Sequence, residues 1–224
     1  MVTCYLCTES IDLIMTQPKQ LGRPVGSTKE DTLARIMPVA RQLFADKGYA
    51  QTTFKDVGKK VGVSHAALYT YFDSKKDLYL ACFTQTQALL VPHFIEAFTK
   101  GSTLKERIRL ALLAVAIEND KDTSITGFLT AVPIEIRRHE DLFTAITVND
   151  SPVMNVLEMI VDQAKANGEI VIDVPARDLI EAILGGGIGI ALFQYGLNRP
   201  NLTSTMEVYV NLIEARLFST SSEK

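Results

Sequence analysis

Cysteine is scarce in this chain: three in 224 residues, at Cys4, Cys7 and Cys82. An odd, sparse set builds no disulfide framework and suits a reducing compartment. Cys4 and Cys7 form a C-x-x-C pair, but no second pair or nearby histidine completes a zinc site, and no βαβ pattern surrounds the pair for redox chemistry. No metal is expected. Long apolar runs are also missing. The longest, AILGGGIGIALF from Ala182 to Phe193, has twelve residues. A membrane-spanning helix needs roughly twenty, so a soluble, cytoplasmic protein is expected. Residues 1–14 carry no lysine or arginine, and Glu9 and Asp12 interrupt their apolar residues, which excludes a secretory leader. Met15 opens MTQPKQLGRP, which reads as an ordinary start, and residues 1–14 are expected to be an upstream extension without function. There are no repeats and no low-complexity tract. A catalytic constellation is lacking as well. His93 and His139 stand alone, and GGGIGI (185–190) has neither the preceding strand nor the following lysine of a nucleotide loop. No cofactor is implied and no enzyme is expected.

What is present is a core-forming composition with uneven charge. The chain is 47% hydrophobic and 22% charged, enough to bury a sizeable core. The net charge of −3 argues for no polyanionic partner, but its distribution does. Residues 15–80 hold eleven Lys+Arg against six Asp+Glu, a net of +5, and residues 81–224 hold twelve against eighteen, a net of −6. A basic head on an acidic body is the asymmetry a nucleic-acid-binding protein gives.

The periodicity is helical almost throughout, so the fold class is all-α. Leu33, Ile36, Met37, Ala40, Leu43 and Phe44 form one stripe over 28–47, with Ser27 and Glu30 as a capping box and Gly48 as the stop. Thr53 with Asp56 caps a short helix ending near Val61. Ser64 caps another reaching about Phe72, and Ser74 with Asp77 caps a longer one. Helices are then expected over 75–100, bent or divided at Pro92, over 104–118, and over 126–139 with a kink at Pro133. Three more should cover 151–167, 176–195 and 203–218. GEIVIDV (168–174) alternates like a strand, but a lone strand has nothing to pair with, and a connector is expected. The organisation is a 1–26 extension and arm, a 27–80 head and an 81–224 body.

The stretch GVSHAALYTYFDSKKDL (62–78) carries the functional signal. Two short helices joined at Gly62-Val63-Ser64 make a helix-turn-helix, locked by Val57, Val61, Val63, Leu68 and Phe72. His65, Ala66, Ala67, Tyr69 and Thr70 are left to face outward. In such a motif the start of the second helix enters the major groove. Small residues at 66 and 67 allow close approach to thymine methyls, while tyrosine hydroxyls and the Lys75 ammonium suit phosphate oxygens. A plain helical hairpin with half-buried tyrosines remains the bland alternative.

ARQLFADKGYAQTTFKDVGKKVGVSHAALYTYFDSKKDLY, with F-x-x-K-G-Y, T-T, V-G-V-S, L-Y-x-Y-F and S-K-K-x-L in order, resembles the DNA-binding head of the TetR family of bacterial transcription regulators. The resemblance covers about a quarter of the chain, residues 27–83. It implies an all-helical homodimer with a three-helix head and a larger ligand-binding body. By position, Thr53 and Lys55 would touch the backbone or an outer base, His65, Ala66 and Ala67 would face base edges, and Tyr69, Tyr71 and Lys75 would clamp phosphates, with Ser64 and Thr70 as further DNA-binding candidates. Arg23, in a Gly-Arg-Pro setting, suits an arm in the minor groove. The family often has alanine where this chain has Gly58, which weakens the first short helix by about 1 kcal/mol. The expected partners are double-stranded operator DNA, an unidentified small-molecule effector and a second copy; no membrane is involved. The function implied is a ligand-responsive repressor on a palindromic operator. An all-helical enzyme or ligand carrier without DNA binding is the alternative, and an effector-free regulator a third.

In the body, Phe94, Phe98, Phe128, Phe143, Met154 and Met159 are candidates to line an apolar pocket, with core packing the competing role of each. Ala182, Gly186, Gly189 and Phe193 share one helical face, and Met206, Val210, Ile213 and Leu217 form a stripe near the end. By resemblance these two helices pair across a two-fold axis, with Leu184, Ile188 and Leu192 turned to the subunit's own core. The glycines equally suit a neighbouring helix of the same chain.

Overall fold

The computed structural model describes residues 28–146, 152–199 and 201–217. Cys4, Cys7, Met15 and Arg23 lie outside them. Ten helices appear among the described residues, and no strand. They are α1 Lys29–Gln51, α2 Phe54–Val61, α3 His65–Leu68, α4 Lys75–Lys100, α5 Leu104–Lys121, α6 Ser124–Arg138, α7 Glu140–Ala145, α8 Pro152–Ala166, α9 Ala176–Gly196 and α10 Leu202–Leu217.

Side-chain caps set most of the starts. Thr53, Ser64, Ser74 and Thr103 each accept a hydrogen bond from the backbone N–H three residues on, satisfying one of the orphan donors of a first turn. The first helix corrects the expected box by one residue. Thr28 Oγ1 accepts from Asp31 N at 3.0 Å and Asp31 Oδ2 accepts from Thr28 N at 2.8 Å, so the pair is Thr28 and Asp31, not Ser27 and Glu30. Two overlapping patterns stood one residue apart, and composition alone did not separate them. Gly48, at φ 76°, breaks α1 as its position suggested. Pro92 and Pro133 are exposed and divide neither helix. The stretch 168–174 is a connector, held by Gly168 at φ 74° and by Val171 N donating to Leu217 O at 3.1 Å.

Two apolar cores follow. The first gathers Ile36, Leu43, Phe44, Val57, Leu68, Leu78 and Tyr79 with Phe128 and Val132 of α6 and Leu142 of α7. Its centre is aromatic, with Tyr79 4.9 Å from both Phe44 and Phe128 by ring centroid. The second packs α5, α8, α9 and α10 through Leu112, Ala116, Ile180, Ile183, Met206 and Val210. Since α4 runs through residue 80 and α6 supplies the head's core, head and body share both a helix and packing. A buried guanidinium reinforces the join. Arg41 of α1, 2% exposed, donates to Ser124 Oγ at 2.8 Å and to Gln85 Oε1 at 3.3 Å, and pairs with Asp122. Asp120 of α5 caps α10, accepting from Leu202 N at 2.7 Å and Thr203 N at 3.1 Å.

Candidate nucleic-acid interface

The helix-turn-helix is built from its turn outward. Gly62 sits at φ 79°, a left-handed conformation that glycine takes without strain. Its N–H and that of Val63 both donate to Gly58 O, at 2.9 and 3.0 Å. Arg35 of α1 donates to Val61 O, tying the end of α2 to the first helix. Gly58 has a packing reason as well. A Cβ there would lie 2.8 Å from the Val63 carbonyl oxygen, so alanine requires the turn itself to move. The weaker helix accompanies a closer turn.

From that turn Ser64 caps α3, its Oγ accepting from Ala67 N at 3.1 Å. The helix is shorter than expected. It ends at Leu68, and 3₁₀-type bonds carry the chain on, with Thr70 N donating to Ala67 O and Tyr71 N to Leu68 O. The tightening brings Phe72, as well as Leu68, into the core. His65 and Ala66 are exposed, with Ala67 half-buried beside them. Tyr69 is 52% exposed, and its ring rests on Phe54 at 4.8 Å and His65 at 5.0 Å. Its hydroxyl therefore projects from a fixed ring. Thr70 is less free than expected, since its hydroxyl donates to Ala67 O at 2.7 Å. Tyr71 is half-buried under the Lys29 ammonium, 5.6 Å from its ring centroid.

The flanking residues complete the face. Thr53 and Lys55 are exposed at the start of α2. Asp56 is held below the usual carboxylate range by the Thr53 hydroxyl, against burial and with help from Lys47. Lys75 is anchored, its ammonium donating to Ala50 O at 3.0 Å and lying 4.5 Å from the Tyr49 ring centroid. Lys59 and Lys60 stand exposed in the last turn of α2 and were missed as candidates, although they belong to the basic count of the head.

The body residues do not converge as expected. Phe128 is fully buried in the aromatic core, while Phe143 of α7 and Met159 of α8 are largely exposed. Phe94 and Phe98 are half-buried on α4, with Arg107 6.0 Å from the Phe98 ring, and Met154 packs against the second core. Burial in a helical core satisfies an aromatic side chain as well as a pocket does, so residue type did not separate the two. Two openings adjoin α8. One of about 330 Å³ lies where α5 begins against α8, lined by Leu104, Arg107, Met159 and Gln163. Another, about 510 Å³, lies along α8 at Glu158, Met159 and Asp162.

Four of the eight candidate pairing residues belong to the chain's own core. Met206, Val210 and Leu217 are buried in the chain's own core and Ile213 packs against it. On α9 the inward residues are Ile180, Ile183, Gly187 and Ala191, whereas Ile188 and Leu192 face out, the reverse of the expectation. Ala182 and Gly189 are exposed, Leu184 is half-buried and Phe193 is 65% exposed. Gly186 makes room for the same chain's Tyr209, whose hydroxyl donates to Ala182 O at 3.1 Å and Ile183 O at 3.0 Å. A helix this apolar has plausible stripes on several sides, so spacing did not fix its rotation.

Residues 36–82 match the family model described as bacterial regulatory proteins, tetR family. The fatty acid metabolism regulator protein of Bacillus subtilis is 25% identical over 84 residues, 38% of this chain and 43% of that protein. The negative transcriptional regulator IcaR of the Staphylococcus aureus biofilm operon icaADBC is 47% identical over 45 residues, 20% of this chain and 24% of that one. The chain thus spans less than half the length of either relative. The crystal structure of FadR from Bacillus subtilis in complex with stearoyl-CoA superposes with a TM-score of 0.66 at 21% identity, covering 81% of this chain and 97% of that one. Residues 36–82 thus match the N-terminal domain of bacterial regulatory proteins of the tetR family, and the described residues share the all-helical fold of FadR.

Proposed function

We propose that this protein is a ligand-responsive transcriptional regulator, a repressor that binds a palindromic operator as a homodimer in the cytoplasm. One observation carries the reading: a tightly closed helix-turn-helix, inside the matched stretch, holds His65, Ala66 and Tyr69 toward solvent on a basic head. Ala66 and Ala67 let the backbone approach base edges. Thr53, Lys55, Tyr69, Tyr71 and Lys75 supply phosphate contacts that set register. The repressor sense is supported by likeness to IcaR, a negative regulator.

A small molecule bound to the body releases the DNA, acting by its differential affinity for two head arrangements. A fatty acyl-CoA is the first effector class to test, since the FadR structure holds stearoyl-CoA. The second copy covers the apolar face that α9 and α10 leave open at Ile188, Leu192, Phe193, Val208 and Leu212.

The test is selection of duplexes from a randomised pool by the full chain, followed by fluorescence titration at two salt concentrations. A selected palindrome bound well above random duplex, with affinity falling steeply with salt, is expected. Equal binding to selected and random duplex would refute the reading.

A further inference from the structure

Tyr195 stands near the C-terminal end of α9 and belongs neither to the exposed apolar face nor to the helix-turn-helix. Its hydroxyl donates to Asp46 Oδ1 of α1 at 2.7 Å and accepts from Gln42 Nε2 at 3.0 Å. Gln42 Nε2 also donates to Asp46 Oδ1 at 2.7 Å, closing a three-membered network. Burial, with Asp46 beside it, pushes the phenol up to about 12, so it remains a donor at neutral pH. The ring crosses α6 at Gly127, where any Cβ would overlap it. That glycine stands three residues beyond Ser124, which accepts the Arg41 hydrogen bond. Three helices therefore meet here: α1 of the head, the start of α6, and α9.

The origin of the side chain matters. α9 packs on α6, α8 and α10, and through Tyr195 it reaches α1. Leu192 and Phe193, on the open apolar face, lie within a turn of Tyr195 on the same helix. Gln42 and Asp46 lie one turn apart on α1, so a phenol holding both resists tilting of that helix as well as sliding. Arg41, the Tyr49 hydroxyl donating to Asp141 Oδ2 at 3.0 Å and the packing of Phe44 near Phe128 hold α1 to α6 and α7, and Tyr195 adds the tie from α1 to α9.

We propose that Tyr195 is a positioning residue that, with Gln42, Asp46 and Gly127, sets the pitch of the DNA-binding head against the helix that carries the dimer face, and so sets the half-site spacing the dimer accepts. This rests on the operator-binding dimer proposed above. The side chain touches no DNA itself. It determines where two heads point once two copies of α9 are brought together.

The test compares the full chain with Tyr195→Phe, which keeps the ring over Gly127 and removes the hydroxyl. Hydrogen exchange should quicken across residues 42–47 and stay unchanged across α2 and α3. Affinity for the palindrome selected by the wild-type chain should fall about threefold to tenfold, the worth of one such hydrogen bond. Affinity for a duplex carrying a single half-site should not change. Preference for the selected spacing over a duplex with one inserted base pair should narrow. Asp46→Ala should behave alike, and the double variant should lose no more than either alone. A purely structural role would weaken half-site and palindrome equally, and that result would overturn the proposal. So would unaltered exchange with unaltered spacing preference. A wild-type chain that selects no duplex would count against the operator reading, and exchange over 42–47 would then decide the joint by itself.

Discussion

At the scale of single residues, Tyr69 is divided between packing and solvent. Tyr69 rests its ring on Phe54 and His65, so its aromatic part belongs to the fold and its hydroxyl to solvent. Tyr69→Phe should leave the melting temperature unchanged while weakening selected and random duplex alike by about 1 kcal/mol, as loss of a phosphate contact does. A fluorescence titration checks it, and unchanged affinity would remove Tyr69 from the DNA face. Asp122 lies on the other side of that division. Burial would raise its pKa, but the Ser124 hydroxyl and the Arg41 guanidinium outweigh this and hold it below the usual carboxylate range. Its folded value is thus below its unfolded one. The stabilisation is present at neutral pH and is lost as the pH falls through that lowered value. Asp122→Asn strands a buried cation, which costs 3–5 kcal/mol when both partners are enclosed. With Asp122 partly exposed, about 2 kcal/mol is expected at pH 7, and the gap to wild type should close below roughly pH 4. Thermal denaturation across that range measures both.

At the scale of elements, local chemistry was legible and rotation was not. Thr53 with Asp56, Ser64 and Ser74 announced their caps because a cap is a contact three residues long. Gly48 and Gly62 announced their stops because a left-handed residue favours glycine. The helix-turn-helix was readable for the same reason. What escaped was long-range. Asp120 caps a helix 82 residues away, and Arg41 finds Ser124 83 residues on. α7 is six residues long, too short for a period to show. In α9, AILGGGIGIALF offers apolar residues on every side, so the inward row of Ile180, Ile183, Gly187 and Ala191 was fixed only by packing. Gly186 illustrates the consequence. With Tyr209 in the space a side chain would take, Gly186→Leu should expel that ring and break its two hydrogen bonds. Overpacking of this kind costs about 1–3 kcal/mol. A drop in melting temperature of roughly 3–10 °C is expected in a chain of this size. An unaltered melting curve would mean that Tyr209 has another seat.

At the scale of the whole molecule, the charge and the apolar surface are divided in the same way as the proposed roles. The basic third forms the head, and the exposed apolar residues of α9 and α10 lie on the body. Ile188, Leu192 and Phe193 from one helix and Val208 and Leu212 from the next are each about half exposed or more. Scattered surface leucines need no explanation, but five large apolar residues on two adjoining helices do. The second copy proposed above would offer the same residues about a two-fold axis, so that each patch would cover the other. Leu192→Asp or Leu212→Asp should leave the monomer's own cores untouched, since both side chains point away from them. A buried unpaired carboxylate at the interface should instead separate the subunits, as burying a charge without a partner is costly. Sedimentation should show a folded monomer with an unchanged helical circular dichroism signal. Operator affinity should fall towards that of a single half-site although the head is intact, because one head reads only half of a palindrome. A variant that stays dimeric, or a wild-type chain that sediments as a monomer, would move the interface elsewhere and leave this face for another partner.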